Sequence, residues 1–378
     1  MHPLGVAARS AVGAPMRSQD RKWVLVWGAV LLIALLALPF LVKNYRVFQF
    51  NLVLVYAVAI LGLNILTGFN GQISLGHGAF YAFGAYTAAM LMDKAGVPYW
   101  ATLPAAGLVC FSFGFLMGFP ALRLAGHYLA LATFALALAV PQLLKYKRIE
   151  GLTGGVQGIV LNKPDPPVSF SLFGQPLSPD RWLYFFTLAV AALMFLLAWN
   201  LLRGRVGRAL VAIRDHPIAA TAMGINLPMF KSLTFGVSAA FTGVAGALGA
   251  IVVAFVSPDS FTVQLSIFLL VGVVVGGLAS IPGAIFGAVF IQFVPNISDA
   301  LSKSAPAAIY GVLLIGLMYL MPAGVMGVVR RVWVRVRGAS GSPGQRASSQ
   351  AVLITPRPPL LRRPSPEGIK ESGRATFP

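Results

Sequence analysis

Apolar stretches recur along this chain at close to bilayer-crossing length, with the polar residues gathered between them. A transmembrane helix needs roughly 20 predominantly apolar residues. The stretches that meet or approach this length are 23–42, 47–66, 75–92, 100–122, 127–144, 182–202, 232–256, 263–279, 284–298 and 308–328. Only helices and closed barrels satisfy their backbone groups in lipid. The pattern therefore predicts an all-α polytopic membrane protein with about ten transmembrane helices. The stretches 263–279 and 284–298 are short and separated by Ser280-Ile281-Pro282-Gly283. They are either two spans or one span with a re-entrant piece. The first stretch is longer than the roughly 7–15 apolar residues of a signal peptide and is expected to be a retained span.

Two segments interrupt this pattern with glycine. From Val47 to Met92 no Asp, Glu, Lys or Arg occurs, yet the run contains GFNGQISLGHGAFYAFGAY, 68–86. Non-helical backbone at membrane depth is tolerated where protein buries it or where it lines a wet cavity. One reading makes the segment a broken or re-entrant element lining a pathway, with Asn70, Gln72, Ser74, Gly76 and His77 as its candidate residues. The other makes 67–75 a short cytoplasmic turn and the glycines packing positions. His77 suggests a proton relay, but no carboxylate falls within any predicted span. It is expected to be a structural hydrogen-bonder. Gly78/Ala82, Gly84/Ala88 and Ala85/Ala89 are small pairs at helical spacing, which let helix backbones approach closely. The second segment is VVVGGLASIPGAIFGAVF, 273–290. Its Gly276, Gly277 and Ser280 are further pathway candidates, since transporters often place interrupted helices of two repeats at the substrate site.

Charge fixes the direction of the spans. Lys and Arg collect on the cytoplasmic side, and the basic regions are 1–22, 203–231 and the tail from Arg330. Ten spans put all three on one side, with 20 Lys/Arg and 4 Asp/Glu inside against 9 and 6 outside, a balance of +16 against +3. Both termini are then cytoplasmic. The expected organisation is a basic N-terminal segment (1–22), a transmembrane domain (23–329) and a basic, disordered tail (330–378). The tail, with GASGSPGQRASSQ and TPRPPLLRRPSPEG, is too polar to bury a core. It is read as facing anionic lipid, not nucleic acid. With 57% hydrophobic and 10% charged residues, against about 25% charged in soluble domains, a water-soluble globule is excluded. One cysteine, Cys110, leaves no disulfide framework.

The loops carry the remaining candidates. In RGRVGRALVAIRDHPIAATAMGINLPMFK, 203–231, Leu210, Val211 and Ile213 form an apolar cluster among Arg208 and Arg214. Asp215 is placed to cap a short helix from Pro217 to Met223, stopped by Gly224. Such a structured loop exceeds what a connector needs and reads as a lever for a cytoplasmic partner. In the outer loop, GLTGGVQGI (151–159) offers Thr153, Gly154, Gly155 and Gln157 either as a backbone nest for an anionic group or as a plain turn. The sequence contains no GxxxxGK[ST], no metal-spaced His/Cys pairs, no GxSxG and no paired carboxylates. No catalytic residue and no metal ligand is assigned.

Taken in order, GFNGQISLGHGAFYAFGAYTAA, GLTGGVQGI, GRALVAIRDHPIAATAMGIN and SPDSFTVQLSIFLLVGVVVGGLASIPGAIFGA resemble the LivM-type permease of bacterial branched-chain amino acid ABC importers, over about 45–330. The resemblance implies a permease of the bacterial inner membrane that binds no cofactor of its own. Its implied partners are a LivH-type permease, two cytoplasmic ATPases that use ATP, and an extracytoplasmic binding protein. Loop 203–231 would be the coupling element, with Ala219, Ala220 and Gly224 matching an Ala-Ala-xxx-Gly core. Thr221, Phe268 and Ala279 depart from what relatives often carry at these positions (a charged residue, a polar one and glycine). Urea and short-chain amide importers share much of the motif set, so those substrates stand as the alternative. A transporter driven by an ion gradient is a second alternative, but it needs an ionisable site within the spans. Gly, Asn, Gln and Ser along a pathway offer a zwitterion neutral hydrogen bonds, so it is stabilised but not trapped.

Overall fold

The computed structural model describes residues 35–123, 127–166, 171–172, 175–176, 178–301, 303 and 305–339. The basic N-terminal segment, the first part of the 23–42 stretch and the tail beyond 339 lie outside them. The helices are α1 (35–41), α2 (Asn44–Asn64), α3 (His77–Ala95), α4 (Tyr99–Arg123), α5 (His127–Leu144) and the single turn α6 (Glu150–Thr153). They continue as α7 (Pro179–Arg203), α8 (Arg205–Asp215), α9 (Pro217–Ala222), α10 (Leu227–Val253), α11 (Val263–Gly276), α12 (Gly283–Leu301), α13 (Pro306–Leu320) and α14 (Gly324–Ala339). Compact packing of the first unit ends at Val329. Four two-residue strands make two small pairs: β1 (Ile159–Val160) lies antiparallel to β4 (Phe255–Val256), and β2 (Ser171–Leu172) to β3 (Gln175–Pro176).

Six helical segments among the described residues are long and apolar enough to cross a membrane, or seven if α5 and Lys147–Thr153, bent by 60°, count as one span. The protein is thus an all-α polytopic membrane protein. Two of the expected spans, α3 and α11, are in neither count, and α5 is only in the count of seven. Helix α3 is long enough at 19 residues, but it is rich in Gly, Ala and Tyr and nearly all buried. A helix wrapped by other helices has no lipid-facing stripe to maintain. Helix α11 has 14 residues, about 21 Å at the usual rise.

Helix α10 is the axis of the bundle, with α2, α3 and α4 packed around it. Its central window is 83% buried, against 22% for α7. Leu193, Leu196 and Leu197 of α7 face outward, as do Val312, Ile315 and Tyr319 of α13. Two ends emerge. At one, the turn after α2, the α8–α9 pair and the α11–α12 break meet, with Arg214 bonded to Gly68 and Asn64 to Ala279 and Ser280. At the other, the outer loop joins the end of α10 through the β1–β4 pair and through Lys145 with Asp259.

The α3–α10 crossing is backbone on backbone. A Cβ built on Gly84 would overlap the Gly243 carbonyl, and one on Gly246 would overlap the Tyr81 carbonyl. Both obstacles are main chain at the centre of the bundle and have nowhere to move. Gly84→Val should therefore exceed the roughly 1–3 kcal/mol of ordinary overpacking. We expect severe loss of folded protein in detergent extracts, measured by size-exclusion yield, while Gly311→Ala, where a Cβ meets nothing within 4 Å, should leave the yield near wild type.

Candidate functional site

The site is built where helical structure stops. After Asn64 the chain widens into a π-helical turn, Ile65–Phe69, and then runs as non-helical backbone through 71–76 before α3 starts at His77. That start is deep. His77 Nε2 lies 2.7 Å from Ser238 Oγ, and Ser238 stands eleven residues past Leu227, roughly 16 Å along α10 at 1.5 Å per residue. The segment from Gly71 thus returns into the bundle without helical bonds. Its backbone groups are met from elsewhere, as burial requires. Leu75 N–H donates to Thr133 Oγ1 (2.9 Å), Gly76 N–H to Ser74 Oγ (3.3 Å) and Gly78 N–H to Ser266 Oγ (2.9 Å). The Gln72 carbonyl accepts from Thr67 Oγ1 (3.0 Å).

The predicted polar residues are all buried, at 3% exposure or less for Asn70, Ser74 and His77 and 7% for Gln72. They form two groups. Asn70 Nδ2 donates to Gln72 Oε1 (3.1 Å), while Asn70 Oδ1 has no partner among the described residues. Ser74, His77 and Ser238 form a chain. Ser238 Oγ donates to the Gly62 carbonyl (2.6 Å), so its lone pair receives the His77 Nε2–H. Nδ1 then accepts from Ser74 Oγ at 2.9 Å. Donor counting assigns a neutral imidazole with its proton on Nε2. Phe80 and Phe235 pack around the ring. The histidine is held as a bridge between α2, α3 and α10. Gly76 packs on the Thr133 backbone, which explains why no side chain stands there.

Sequence reasoning missed Asn64. It is 1% exposed, and its amide clasps the second break: Ala279 N–H donates to Oδ1 (3.0 Å), and Nδ2 donates to the Ser280 carbonyl (2.8 Å). A signal existed, a single Asn in the apolar LGLNIL run, where an unsatisfied amide is expensive. Ala279 sits at φ 57°, a left-handed conformation costing about 1–2 kcal/mol without glycine. A glycine would adopt this conformation without that cost. Of the predicted residues here, Gly276 packs on the Gly283 backbone and Gly277 (φ 113°) ends α11. Ser280 contributes its carbonyl to Asn64 and its Oγ to Gly283 N–H at 3.2 Å. The first and second segments, distant in sequence, thus meet at Asn64 and Gly68.

At the other end, Thr153 Oγ1 donates to the Leu144 carbonyl (2.9 Å) and accepts from Gly155 N–H (3.3 Å). Gly154 N–H donates to the Glu150 carbonyl (2.8 Å). These groups are engaged within the loop, and Gln157 is exposed. Among the described residues no group of three or more His, Cys, Asp or Glu could hold a metal ion.

The loop 203–231 contains two helices where one was expected. Helix α8 turns Ala209, Leu210 and Ile213 inward and Arg208 outward. Asp215 does not cap α9. It remains the last residue of α8 and pairs with Arg214 Nε at 3.1 Å, leaving His216 at the N-cap with no side-chain bond. Ala220 is buried, Ala219 exposed, and Gly224 (φ 82°) ends the turn after α9. Ile218 and Met223 are 87% and 84% exposed. Arg214 is exposed, but its Nη1 reaches back to the turn after α2 and donates to the Gly68 carbonyl at 2.8 Å.

Residues 45–322 match the family model described as branched-chain amino acid transport system / permease component. The chain belongs to this permease family. It is 35% identical over 320 residues to the high-affinity branched-chain amino acid transport system permease protein LivM of Salmonella typhimurium, covering 79% of this chain and 74% of that protein. LivM of Escherichia coli matches equally. LivH of Escherichia coli is 27% identical over 289 residues, 72% of this chain and 91% of its own. No solved structure matches. As a LivM-type family member the chain is a multi-pass membrane transport permease, not itself an enzyme, and its helix pair α8–α9 falls in the stretch that the resemblance assigned to coupling.

Proposed function

We propose that this chain is the LivM-type subunit of an ABC importer that carries leucine, isoleucine and valine across the bacterial inner membrane. It pairs with a LivH-type permease, receives substrate from an extracytoplasmic binding protein and uses ATP through two cytoplasmic ATPases, holding no nucleotide itself. The observation that carries this reading is the α8–α9 pair. It projects two strongly exposed apolar residues, Ile218 and Met223, from the end of the bundle where the breaks lie, and apolar side chains so placed mark a protein contact. In the full topology there are ten passes with both termini cytoplasmic, which the +16 against +3 charge balance supports. The chain then divides into the N-terminal segment, the transmembrane domain to 329 and the basic tail. Asn70, Gln72, Ser74, Gly76 and His77 border the translocation pathway, with Asn70 Oδ1 free to receive a donor from a passing zwitterion. Gly276, Gly277 and Ser280 flank it, and Thr153, Gly154, Gly155 and Gln157 lie toward the binding protein.

Reporter fusions at Asn162 and Gly338 should report opposite sides of the membrane; agreement between them would overturn the ten-pass count. Gly224→Val leaves no steric clash but strains the turn by about 1–2 kcal/mol. It should cut leucine uptake into vesicles at normal protein yield, and undiminished uptake would remove α8–α9 as the docking element. Ser74→Cys should be closed to polar thiol reagents at rest and open during ATP-driven uptake. A thiol silent in both conditions would reduce Gly68–Tyr86 to a packing seam and shift the pathway toward 273–290.

A further inference from the structure

We infer that Asn64 and Arg214 are the positioning residues that couple the cytoplasmic helix pair to both non-helical breaks of the bundle. The inference deepens the reading of α8–α9 as the ATPase-docking element and rests on it. Among the described residues, Arg214 is the side chain of that pair whose hydrogen bond reaches a spanning helix, through Nη1 to the Gly68 carbonyl. Its stem lies against Gly71, so the same side chain touches both sides of the turn that starts the first break. Gly68 in turn has no room for a Cβ, which would overlap Asn64 Oδ1 and Ala279 N. Asn64 closes the path by holding Ala279 N–H and the Ser280 carbonyl. A displacement of α8 that moves the Gly68 carbonyl must therefore move Asn64 or release Ala279.

The elements on this path suit a switch. The turn at 65–69 is π-helical, a rare conformation that recurs at functional sites. Ala279 is held at φ 57° against its own preference, so release of the clasp lets it relax. The clasp is closed in this structure; its release is the second arrangement the proposal requires, with Arg214 biasing the choice. A coupling claim needs such a shared two-state element.

The test uses the full complex in vesicles, reading leucine imported per ATP hydrolysed. Asn64→Ala and Arg214→Leu should each lower that ratio about tenfold, the scale of a typical coupling free energy between two sites, at normal complex yield. Arg214→Lys, which keeps one charged donor, should recover part of it. A purely structural role would lower yield and leave the ratio alone, and an unchanged ratio for Arg214→Leu overturns the proposal. Should Asn64→Ala fail to assemble, Arg214→Leu against Arg214→Lys decides, because the Arg214 side chain is 33% exposed and its loss leaves no large cavity. Ile218→Cys cross-linking to the ATPase separates the two ideas. Loss of that cross-link in the otherwise wild-type complex overturns the docking reading itself. Its persistence beside an unchanged ratio overturns only the clasp.

Discussion

Lipid offers no hydrogen bonds, so every backbone group that leaves a helix inside the bundle must find its partner in protein. Two departures from the α-helix lie at one end of the bundle, the π turn and non-helical run at 65–76 and the break at 277–282. The side chains that meet these departures and the start of α3 from other helices are Thr133 of α5, Ser266 of α11 and Asn64 of α2, all uncharged, with Arg214 of α8 at the Gly68 carbonyl. Each contact is worth about 0.5–1.5 kcal/mol net, but leaving its buried partner unmet costs about 1–3. The arrangement of α2, α3, α5, α10 and α11 is therefore dictated less by apolar attraction, which lipid largely cancels, than by where these few polar groups must meet.

Glycine makes the meeting possible. His77 reaches Ser238 only because α3 and α10 touch backbone to backbone at Gly84 and Gly243. The α11–α12 hairpin follows the same rule. Gly276 opposes Gly283 and Gly272 opposes Gly287, which brings the break between the two helices within reach of Asn64. Close packing of this kind does not deform smoothly. Motion of such a bundle must pass between discrete packings, and on the proposed reading the hydrogen bonds at the breaks are the contacts exchanged.

Much of this was legible in the sequence because its cause is local. Apolar length marked where spans lie, and the six or seven span candidates among the described residues fall on predicted stretches. Gly68–Tyr86 announced a break because helix-breakers and amides are expensive there unless placed. His77 read as structural because no carboxylate was near to relay its proton, and the Ser74–His77–Ser238 chain leaves its ring neutral. What could not be read was pairing across distance. Asn64 and Ala279 are far apart in sequence, and no local rule links them. Asp215 had the right chemistry for a cap, but α8 persists through it, so a side chain still inside one helix cannot cap the next. The contact of Arg214 with the break was hidden for a related reason, since an arginine in a basic loop is indistinguishable from its neighbours until the Gly68 carbonyl is placed beside it.

A permease for zwitterions meets a constraint that a channel for ions does not. A fixed charge in the path would bind one end of the substrate and hold it, while a wholly apolar path would strip both ends of solvent at prohibitive cost. Neutral amides and hydroxyls avoid both extremes. Most such groups in the first break, however, are already committed to holding the break together, with Ser74 on His77 and Asn70 Nδ2 on Gln72. The same bonds cannot brace the closed bundle and solvate a substrate at once. If substrate passes here, as proposed, the bracing must be exchanged for substrate contacts, which ties solvation of the cargo to the change of shape. On the proposed reading such a segment conducts only when something outside it loosens the bracing, and the Arg214 bond to the Gly68 carbonyl is the contact from α8 through which that control is proposed to act.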